Sequence, residues 1–446
     1  MFISKDKKSL ILLIVVLIVL SGIGAIYFLP QNQYLVLFRQ VSKERVGTGL
    51  NLQAESQRGA DYVGSANCAE CHQEIYDKQS ASMHTKMIQD VAKDPSVIVG
   101  DFALLPGDAD FELKNVVYTI GSKFKQRYML RKDRDGVENY RIGNYQWNTE
   151  NSSWQSYKVY GDWYHDAWPE DNKQIPTSHT CDGCHFTGYM SRQVRVEPGI
   201  NCENCHGPGS KHMENPVNEN IYMATRLDPI RSMEVCLQCH MRNVDKRLDS
   251  LSVLDLYGVA LDYPIGFEPG MSLLKYKKPM PYHPGVNDAK FYGNGVGVKN
   301  RMQGNEYVQS TMYKHGITCM NCHDPHTLDN TAQSPGGDEL CMSCHKMGLP
   351  IGPHQYSLTA HTRHKVDSKG SSCIECHMPK TGKHTGKSPI TVRTHVFRFI
   401  YPKESMEYGV NNACNNCHTD KSLEWSDKKL IEWGMTSWER LQVDRD

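Results

Sequence analysis

The sequence predicts a mainly α-helical and irregular chain, with a small antiparallel β element and one N-terminal transmembrane helix. Hydrophobic residues make up 39% of the 446 positions, below the roughly 45–50% of an ordinary soluble domain. Something other than side chains must therefore help to fill the core. All 16 cysteines lie in Cys-x-x-Cys-His motifs, and an unbroken apolar stretch runs from Leu10 to Leu29. The balance of 50 basic against 50 acidic residues excludes a general nucleic-acid binder.

The Cys-x-x-Cys-His motif occurs eight times, numbered 1 to 8 along the chain. The motifs are Cys68/Cys71/His72, Cys181/Cys184/His185, Cys202/Cys205/His206, Cys236/Cys239/His240, Cys319/Cys322/His323, Cys341/Cys344/His345, Cys373/Cys376/His377 and Cys414/Cys417/His418. Two thiols at this spacing can add to the two vinyl groups of one haem, and the adjoining histidine reaches the iron as its proximal ligand. We therefore predict a multihaem c-type cytochrome with eight covalently bound haem c groups, whose macrocycles replace part of the apolar core.

Three other chemistries use closely spaced cysteines, and each fits less well. Zinc ribbons do not require a histidine after every second cysteine. A thioredoxin-like redox pair would occur once, beside a βαβ pattern. A disulfide framework is typical of short secreted chains and does not explain the histidines.

The N-terminus predicts a membrane anchor, with residues 1–8 as a cytoplasmic tip and residues 9–29 as a transmembrane signal anchor. About 20 residues of helix span about 30 Å, the thickness of one bilayer core. A cleaved signal peptide is the alternative, but the apolar stretch is long and Ser21-Gly22-Ile23-Gly24-Ala25 is a poor cleavage site. Because c-type haem attachment is extracytoplasmic, we expect the haem region to be periplasmic or extracytoplasmic, joined to the anchor by a polar tether at 30–60.

Motif spacing divides the remainder into an N-terminal haem region, 61–245, and a C-terminal haem region, 246–446, with four haems each. Segments rich in β-branched and aromatic residues at 116–120, 127–130 and 156–160, separated by glycine turns, predict an antiparallel β insertion at about 110–165. Four tryptophans at its end are expected to pack in the core or at haem edges: Trp147, Trp154, Trp163 and Trp168. Gly293-x-Gly295-x-Gly297 lacks the spacing of a nucleotide site and predicts a loop.

The tail from Ser422 predicts a capping amphipathic helix, because its apolar residues recur at near-helical spacing. Those residues are Leu423, Leu430, Ile431, Trp438 and Leu441.

Twelve histidines remain outside the motifs, more than the eight distal positions that eight haems offer. Bis-histidine ligation is therefore the expected state of most irons, and it favours low-potential electron transfer. The predicted distal ligands are His84, His179, His212, His315, His326, His361, His364 and His395. The other four, His165, His283, His354 and His384, are expected at the surface or beside an iron ligand. Methionine ligation is also possible chemically, but nothing distinguishes any of the 19 Met.

Several stretches between the motifs resemble the multihaem cytochrome c554/c-prime family. They are Ser82-Met-His84 after motif 1, the run from Glu197 to His212, the run from His315 to His326, His361-Thr-Arg-His364, Cys373-Ile-Glu-Cys-His-Met-Pro, and Thr394-His395-Val-Phe. The resemblance covers residues 62 to about 435. It implies a mostly helical, loop-rich fold with closely stacked haems, and it adds support for His84, His212, His315, His326 and His395 as ligands. The tetrahaem name giver of that family lacks this anchor and four of these haems.

Two functions fit this composition. The first is a membrane-anchored electron carrier between a membrane or periplasmic donor and an extracytoplasmic acceptor in anaerobic respiration, with redox proteins as partners and a quinol-oxidising membrane complex as one candidate donor. The second is a multihaem oxidoreductase that acts on nitrite, hydroxylamine or tetrathionate at one open haem. The Cys-x-x-Cys-Lys motif typical of pentahaem nitrite reductases is absent. A subunit of an extracellular cytochrome filament is a third reading, and the predicted anchor argues against it.

Overall fold

The computed structural model describes most of the haem region. The described residues are 59–133, 138–158, 164, 173–192, 194–245, 263–280, 282–327, 338–345, 357–384 and 389–435. The predicted cytoplasmic tip, the transmembrane helix and almost all of the tether lie outside them, as do His165, His354, Trp163, Trp168, Trp438 and Leu441. Among the described helices, none is long and apolar enough to cross a membrane. Residues Gln53–Met435 form one compact unit.

Motif 1 lies on the first described helix, α1 (Ser65–Ala81), which stops at the extended Ser82. The helix is kinked at the proximal histidine itself, because His72 has φ −120° and ψ 41°. Glu203, which lies inside motif 3, accepts hydrogen bonds from the backbone N–H groups of Val63 and Gly64. Motifs 1 and 3 are therefore held side by side, although they are far apart in sequence.

A six-stranded antiparallel sheet follows α1, and it confirms the predicted β element. Its strands are β1 (Ile88–Asp90), β2 (Val116–Ile120), β3 (Lys125–Arg131), β4 (Tyr140–Ile142), β5 (Tyr145–Asn148) and β6 (Ser153–Ser156). They are ordered β1-β2-β3-β5-β6, with β4 also paired to β3. In the third predicted segment, 156–160, Ser156 ends β6, and the described residues 157 and 158 lie outside that strand.

The remaining chain consists of short helices and two-stranded ribbons around the motifs. The helices are α2 (Thr177–Thr180), α3 (Asp182–His185), α4 (Tyr189–Arg192), α5 (Cys202–His206), α6 (Ser210–Glu214), α7 (Pro229–His240), α8 (Gln303–Tyr307), α9 (Thr311–Lys314), α10 (Asp338–Cys344), α11 (Leu358–Thr362), α12 (Cys373–His377), α13 (Pro402–Tyr408) and α14 (Leu423–Glu432). The ribbons pair β7 (Phe186–Thr187) with β8 (Glu197–Pro198), β9 (Asn243–Asp245) with β10 (Lys277–Pro279), and β11 (Lys380–His384) with β12 (Pro389–Arg393).

Among the described residues, apolar side chains form several separate clusters rather than one continuous core. The largest lies between the sheet and motifs 2 and 4, and it includes Cys184, Phe186 and Tyr263. A second, aromatic cluster holds the β insertion together, and Trp147 and Trp154 belong to it. Divided clusters are expected of a chain whose motifs reserve much of the interior for macrocycles.

The C-terminal helix α14 begins as predicted, with Ser422 as its N-cap accepting a hydrogen bond from the N–H of Trp425. Leu430 is buried, but Ile431 is 57% exposed. The apolar stripe is thus narrower than the predicted helix face. The segment 293–297 is a loop, as predicted, closed by a bridge between Phe291 and Gly297.

Candidate functional site

Six of the eight proximal histidines face a second histidine ring. The pairs are His72 with His212, His240 with His84, His206 with His326, His323 with His395, His377 with His361, and His418 with His364, and their ring centroids lie 6.1–6.3 Å apart. We call the places marked by these proximal histidines sites 1, 4, 3, 5, 7 and 8, after their motifs.

This spacing fits an iron between the two rings. A metal–imidazole bond is about 2.0 Å, and a ring nitrogen lies about 1.15 Å from the centroid of a five-membered ring with bonds of about 1.35 Å. Two imidazoles on opposite sides of one metal therefore have centroids about 6.3 Å apart. Direct stacking of two rings needs no such separation. The donor set and its spacing thus fit a haem held by two thioethers and two histidines.

Hydrogen bonds at Nδ1 of the second histidines leave their Nε2 atoms available to bind a metal. In His84, His212, His364 and His395, Nδ1 lies within hydrogen-bond distance of a backbone carbonyl. Because a carbonyl can only accept, Nδ1 carries the proton and Nε2 keeps its lone pair for a metal. In His326, Nδ1 lies 3.3 Å from the Asp324 carboxylate, which has the same effect.

Two of the proximal rings, those of His240 and His323, are also held in the neutral form that binds a metal. Burial lowers the pKa of His240 and of His323 to about 4, so both imidazoles are uncharged at pH 7. The Nδ1 of His206 lies 2.7 Å from the carbonyl oxygen of Tyr222, which fixes that ring.

The distal ligand of one site often lies beside the motif of another. His212 of site 1 follows motif 3, and His326 of site 3 follows motif 5. His84 of site 4 follows motif 1 on the chain. The sites are therefore interlocked, since each of these histidines follows one motif along the chain and faces the proximal ring of another.

The thiols of different motifs also adjoin. In the chain before attachment, Cys68 and Cys202 share a hydrogen bond that raises the pKa of Cys68 and lowers that of Cys202. Equivalent thiol pairs join Cys184 with Cys239, Cys236 with Cys319, and Cys341 with Cys373. Weaker electrostatic interactions link Cys205 with Cys236, Cys322 with Cys341, and Cys376 with Cys417.

The cysteines of the motifs differ in how far they are exposed to solvent. Cys71 is exposed, as are Cys344 and Cys417, whereas Cys184 is buried. The reason is the position of α1, which fully buries only Ser65 and Gln79 and leaves the segment around Cys71 at the surface. The exposure of Cys71 does not conflict with thioether attachment, because the spacing from Cys68 and His72 is unchanged and an attached macrocycle itself supplies apolar cover.

The contacts between thiols show which sites are neighbours in space. This order cannot be read from the numbering of the motifs along the chain. Sites 1, 3, 4, 5, 6, 7 and 8 follow one another through adjoining thiols, and site 2 joins this series at site 4. The attachment edges of successive sites thus form a continuous series through the described part of the chain.

Site 5 rests on a buried ion pair. Glu306 is 1% exposed, and its Oε1 accepts from Nζ of Lys383 at 2.7 Å. The other carboxylate oxygen, Oε2, accepts from the backbone N–H of His395 at 2.6 Å. Glu306 therefore fixes the backbone of a distal ligand, a role that no motif in the sequence indicated.

The surroundings of the proximal histidine at site 2 differ from those at the six paired sites. Asp182, between the two cysteines of motif 2, is fully buried and accepts from Arg195 at 2.6 Å. At Gly183 a Cβ would approach the Tyr263 ring to 2.1 Å, so only glycine permits this packing. Burial, Arg301 and Arg127 together lower the pKa of His185 to about 4. Within the described residues, no histidine ring faces His185 at the spacing of the six pairs.

The other predicted histidines lie elsewhere. His179 is partly buried beside Ser178, whose Oγ lies 3.1 Å from its Nδ1, and it faces none of the described proximal rings. His315 is exposed at the end of α9 and has no such pairing within the described chain. His283 is exposed, 3.7 Å from Asp288. His345 of site 6 adjoins residues 346–356, which lie outside the described residues, as do His165, His354 and the side chain of His384.

Comparisons with known proteins find similarity to multihaem cytochromes. Residues 141–207 match the family described as cytochrome c554 and c-prime, and residues 312–348 match the doubled CXXCH motif. A search of curated proteins gave no match. The solved structure of the outer cell wall cytochrome OcwA is similar in fold, with a TM-score of 0.64 at 21% identity, covering 83% of this chain and 86% of that one. An undecahaem cytochrome from the S-layer of Carboxydothermus ferrireducens also matches, with a TM-score of 0.45 at 18% identity, covering 84% of this chain and 60% of that one.

Proposed function

Since this chain is a multihaem c-type cytochrome, we propose that it is anchored in a membrane by residues 9–29 and carries electrons from a membrane or periplasmic donor to an extracytoplasmic acceptor. The observation that carries the proposal is the facing pair of histidines at six sites. Two protein ligands on one iron leave no position for a substrate, which suits electron transfer rather than chemistry.

When bound, each haem supplies reversible one-electron oxidation and reduction at its iron. The chain supplies everything else. Its cysteines would attach the macrocycles and its paired histidines would hold the irons, and burial of rings such as His206 and His395 lowers their pKa and keeps them neutral. The adjoining thiols of Cys236 and Cys319 bring neighbouring attachment edges together, as a carrier with several redox centres requires.

The anchor and the direction of electron flow belong to the same proposal. The apolar stretch from Leu10 to Leu29 supports the anchor, and covalent haem attachment supports an extracytoplasmic location. A membrane complex that oxidises quinol is the donor class that fits this placement. The acceptor is a redox protein or a surface outside the cytoplasm.

Membrane attachment is tested by fractionation. We expect the full chain to stay in membranes through high-salt washing and to need detergent for release. Replacing residues 1–30 by a cleavable signal should release a soluble, fully haem-loaded protein. A native mature N-terminus near residue 25 would refute the anchor.

Electron transfer through the chain is tested by photoreduction from one end. All 16 cysteines lie in attachment motifs, so one added cysteine can be labelled selectively with a photoactive ruthenium complex. Glu74→Cys places the label on the exposed face of α1, beside site 1, and Glu424→Cys places it near site 8. We expect both labels to reduce the same total number of haems. Electrons that remain at the labelled end would refute a continuous carrier.

A further inference from the structure

The buried carboxylates of the described residues differ in whether a cation neutralises them. Five are buried, and four of these form an ion pair with an arginine or lysine: Asp182 with Arg195, Glu234 with Arg231, Glu306 with Lys383, and Glu404 with Arg398. The fifth, Glu203, is 1% exposed, and within the described chain its carboxylate accepts hydrogen bonds from backbone N–H groups alone. Of the five charges, that of Glu203 is therefore buried without a paired cation in the part of the chain that the structure describes.

The hydrogen bonds of Glu203 hold the starts of the two helices that carry the histidines of site 1. Oε2 accepts from the N–H of Gly64 at 2.8 Å, and Oε1 accepts from the N–H of Gly209, also at 2.8 Å. Gly64 is the N-cap of α1, which carries His72. Gly209 is the N-cap of α6, which carries His212. Both oxygens of Glu203 act as acceptors, as those of an ionised carboxylate do, and such bonds stabilise the charge without cancelling it.

The charge of Glu203 lies close to the attachment cysteines of two sites. Glu203 directly follows Cys202 in motif 3. In motif 1, the pKa of the Cys68 thiol is raised by its hydrogen bond to Cys202, by burial, and by nearby negative charges that include Glu203. Because Coulomb energy falls with distance and burial weakens the screening by solvent, this charge acts most strongly on the irons of sites 1 and 3.

We propose that the unneutralised charge of Glu203 lowers the reduction potentials of sites 1 and 3 and so directs electrons from this end of the series towards site 4. A ferric iron carries one more positive charge than a ferrous iron, so a negative charge nearby stabilises the oxidised state. The transfer takes one electron from a ferrous iron at site 3 to a ferric iron at site 4, and no bond forms or breaks. The proposal rests on the carrier function proposed above and gives it a direction within the chain.

The experiment is a potentiometric titration of the full-length protein, followed by electron paramagnetic resonance. His212→Ala and His326→Ala identify the signals of sites 1 and 3, because each removes the histidine that faces one proximal ring. In wild type, we expect sites 1 and 3 to be reduced at lower potentials than sites 4 and 5. The carboxylates buried beside those two sites, Glu234 and Glu306, are neutralised by Arg231 and Lys383.

Glu203→Gln removes the charge and nearly preserves the size of the side chain. We expect the ratio of reduced to oxidised iron at a fixed potential to rise roughly tenfold at sites 1 and 3, the order of a Coulomb interaction across about 10–15 Å at an effective dielectric constant of about 20. Glu203→Asp keeps the charge and should keep both potentials closer to those of wild type. Glu70→Gln is the matched control, because Glu70 also lies between the cysteines of a motif but is exposed. Solvent screens its charge, so both potentials should stay nearly unchanged.

The spin state separates the effect of the charge from the loss of a ligand. Sites 1 and 3 should stay low-spin in Glu203→Gln while their potentials rise. Several results would overturn the proposal: sites 1 and 3 titrating above sites 4 and 5 in wild type, unchanged potentials in Glu203→Gln, an equal rise in Glu70→Gln, or a high-spin iron at site 1 in both Glu203 variants. The total number of haems that each ruthenium label reduces does not depend on these potentials. Continuous electron transfer can therefore stand if the role of Glu203 fails.

Discussion

The distal ligand of site 3 can be tested by comparing the two histidines that flank motif 5, because only one of them faces a described proximal ring. The His326 ring is parallel to that of His206, with an interplanar angle of 6° and centroids 6.1 Å apart. His315 is exposed at the end of α9. His326→Ala should therefore open one iron of the eight expected, whereas His315→Ala should open none.

The expected change is one part in eight of the iron signal. In His326→Ala, the low-spin signal should fall by about one eighth, a matching high-spin signal should appear, and the reduced protein should bind one more carbon monoxide per chain than wild type. Intact mass should be unchanged apart from the substitution, because thioether attachment does not depend on the distal side. The reasoning from ring spacing fails if His315→Ala opens an iron and His326→Ala does not.

Three further predictions rest on other contacts. Glu306→Gln should destabilise the protein by about 3–5 kcal/mol, because it leaves the buried Lys383 charge unpaired. In chemical denaturation, the double variant with Lys383→Met should lose much less stability than Glu306→Gln. Additive losses of stability would contradict the pairing. Burial lowers the pKa of Lys125 to about 8, below its ordinary 10.5. Between about pH 8 and 10.5 the unfolded chain therefore binds more protons than the folded one, so the free energy of unfolding should rise with pH over this range. Lys125→Met should flatten that rise in pH-dependent melting curves. Intact mass should exceed the polypeptide by eight haems that resist acid–acetone extraction, and seven or fewer in matured protein would contradict the count.

The sequence predicted the attachment chemistry well because that information is local. Two cysteines and a histidine within five positions specify one site, so each motif can be read alone. The β element was also predictable, since Val116–Ile120 and Lys125–Arg131 are rich in β-formers and separated by a turn. The tail helix was predicted from its spacing, but Ile431 is exposed because α14 packs through a narrower face. The exposure of Cys71 was not predictable either, because a motif specifies haem attachment and not how deeply its cysteines are buried.

Distal ligation was less predictable because it depends on tertiary contacts. The sequence supports His315 and His326 equally as distal ligands, because one lies four residues before motif 5 and the other three residues after it. Only His326 faces a described proximal ring. Glu306 carries no sequence signal at all. Its role arises from the ion pair with Lys383, which brings together segments that are distant along the chain.

The separation between paired histidines also bears on how the chain assembles. His361 and His377 lie 16 residues apart in sequence, whereas His84 and His240 lie 156 residues apart. The entropic cost of closing a loop grows with its length, and long-range contacts form late unless other contacts bring their ends together. For site 4, the backbone N–H of Ile200, just before motif 3, donates to the carbonyl oxygen of His84, and Gln238 of motif 4 donates to the carbonyl oxygen of Asn204 in motif 3, so that the two ends of this loop meet at motif 3. Polar contacts between segments that are distant in sequence therefore determine which histidine faces which proximal ring, and that is the reason why the motifs predict how many haems are bound but not how they are ligated.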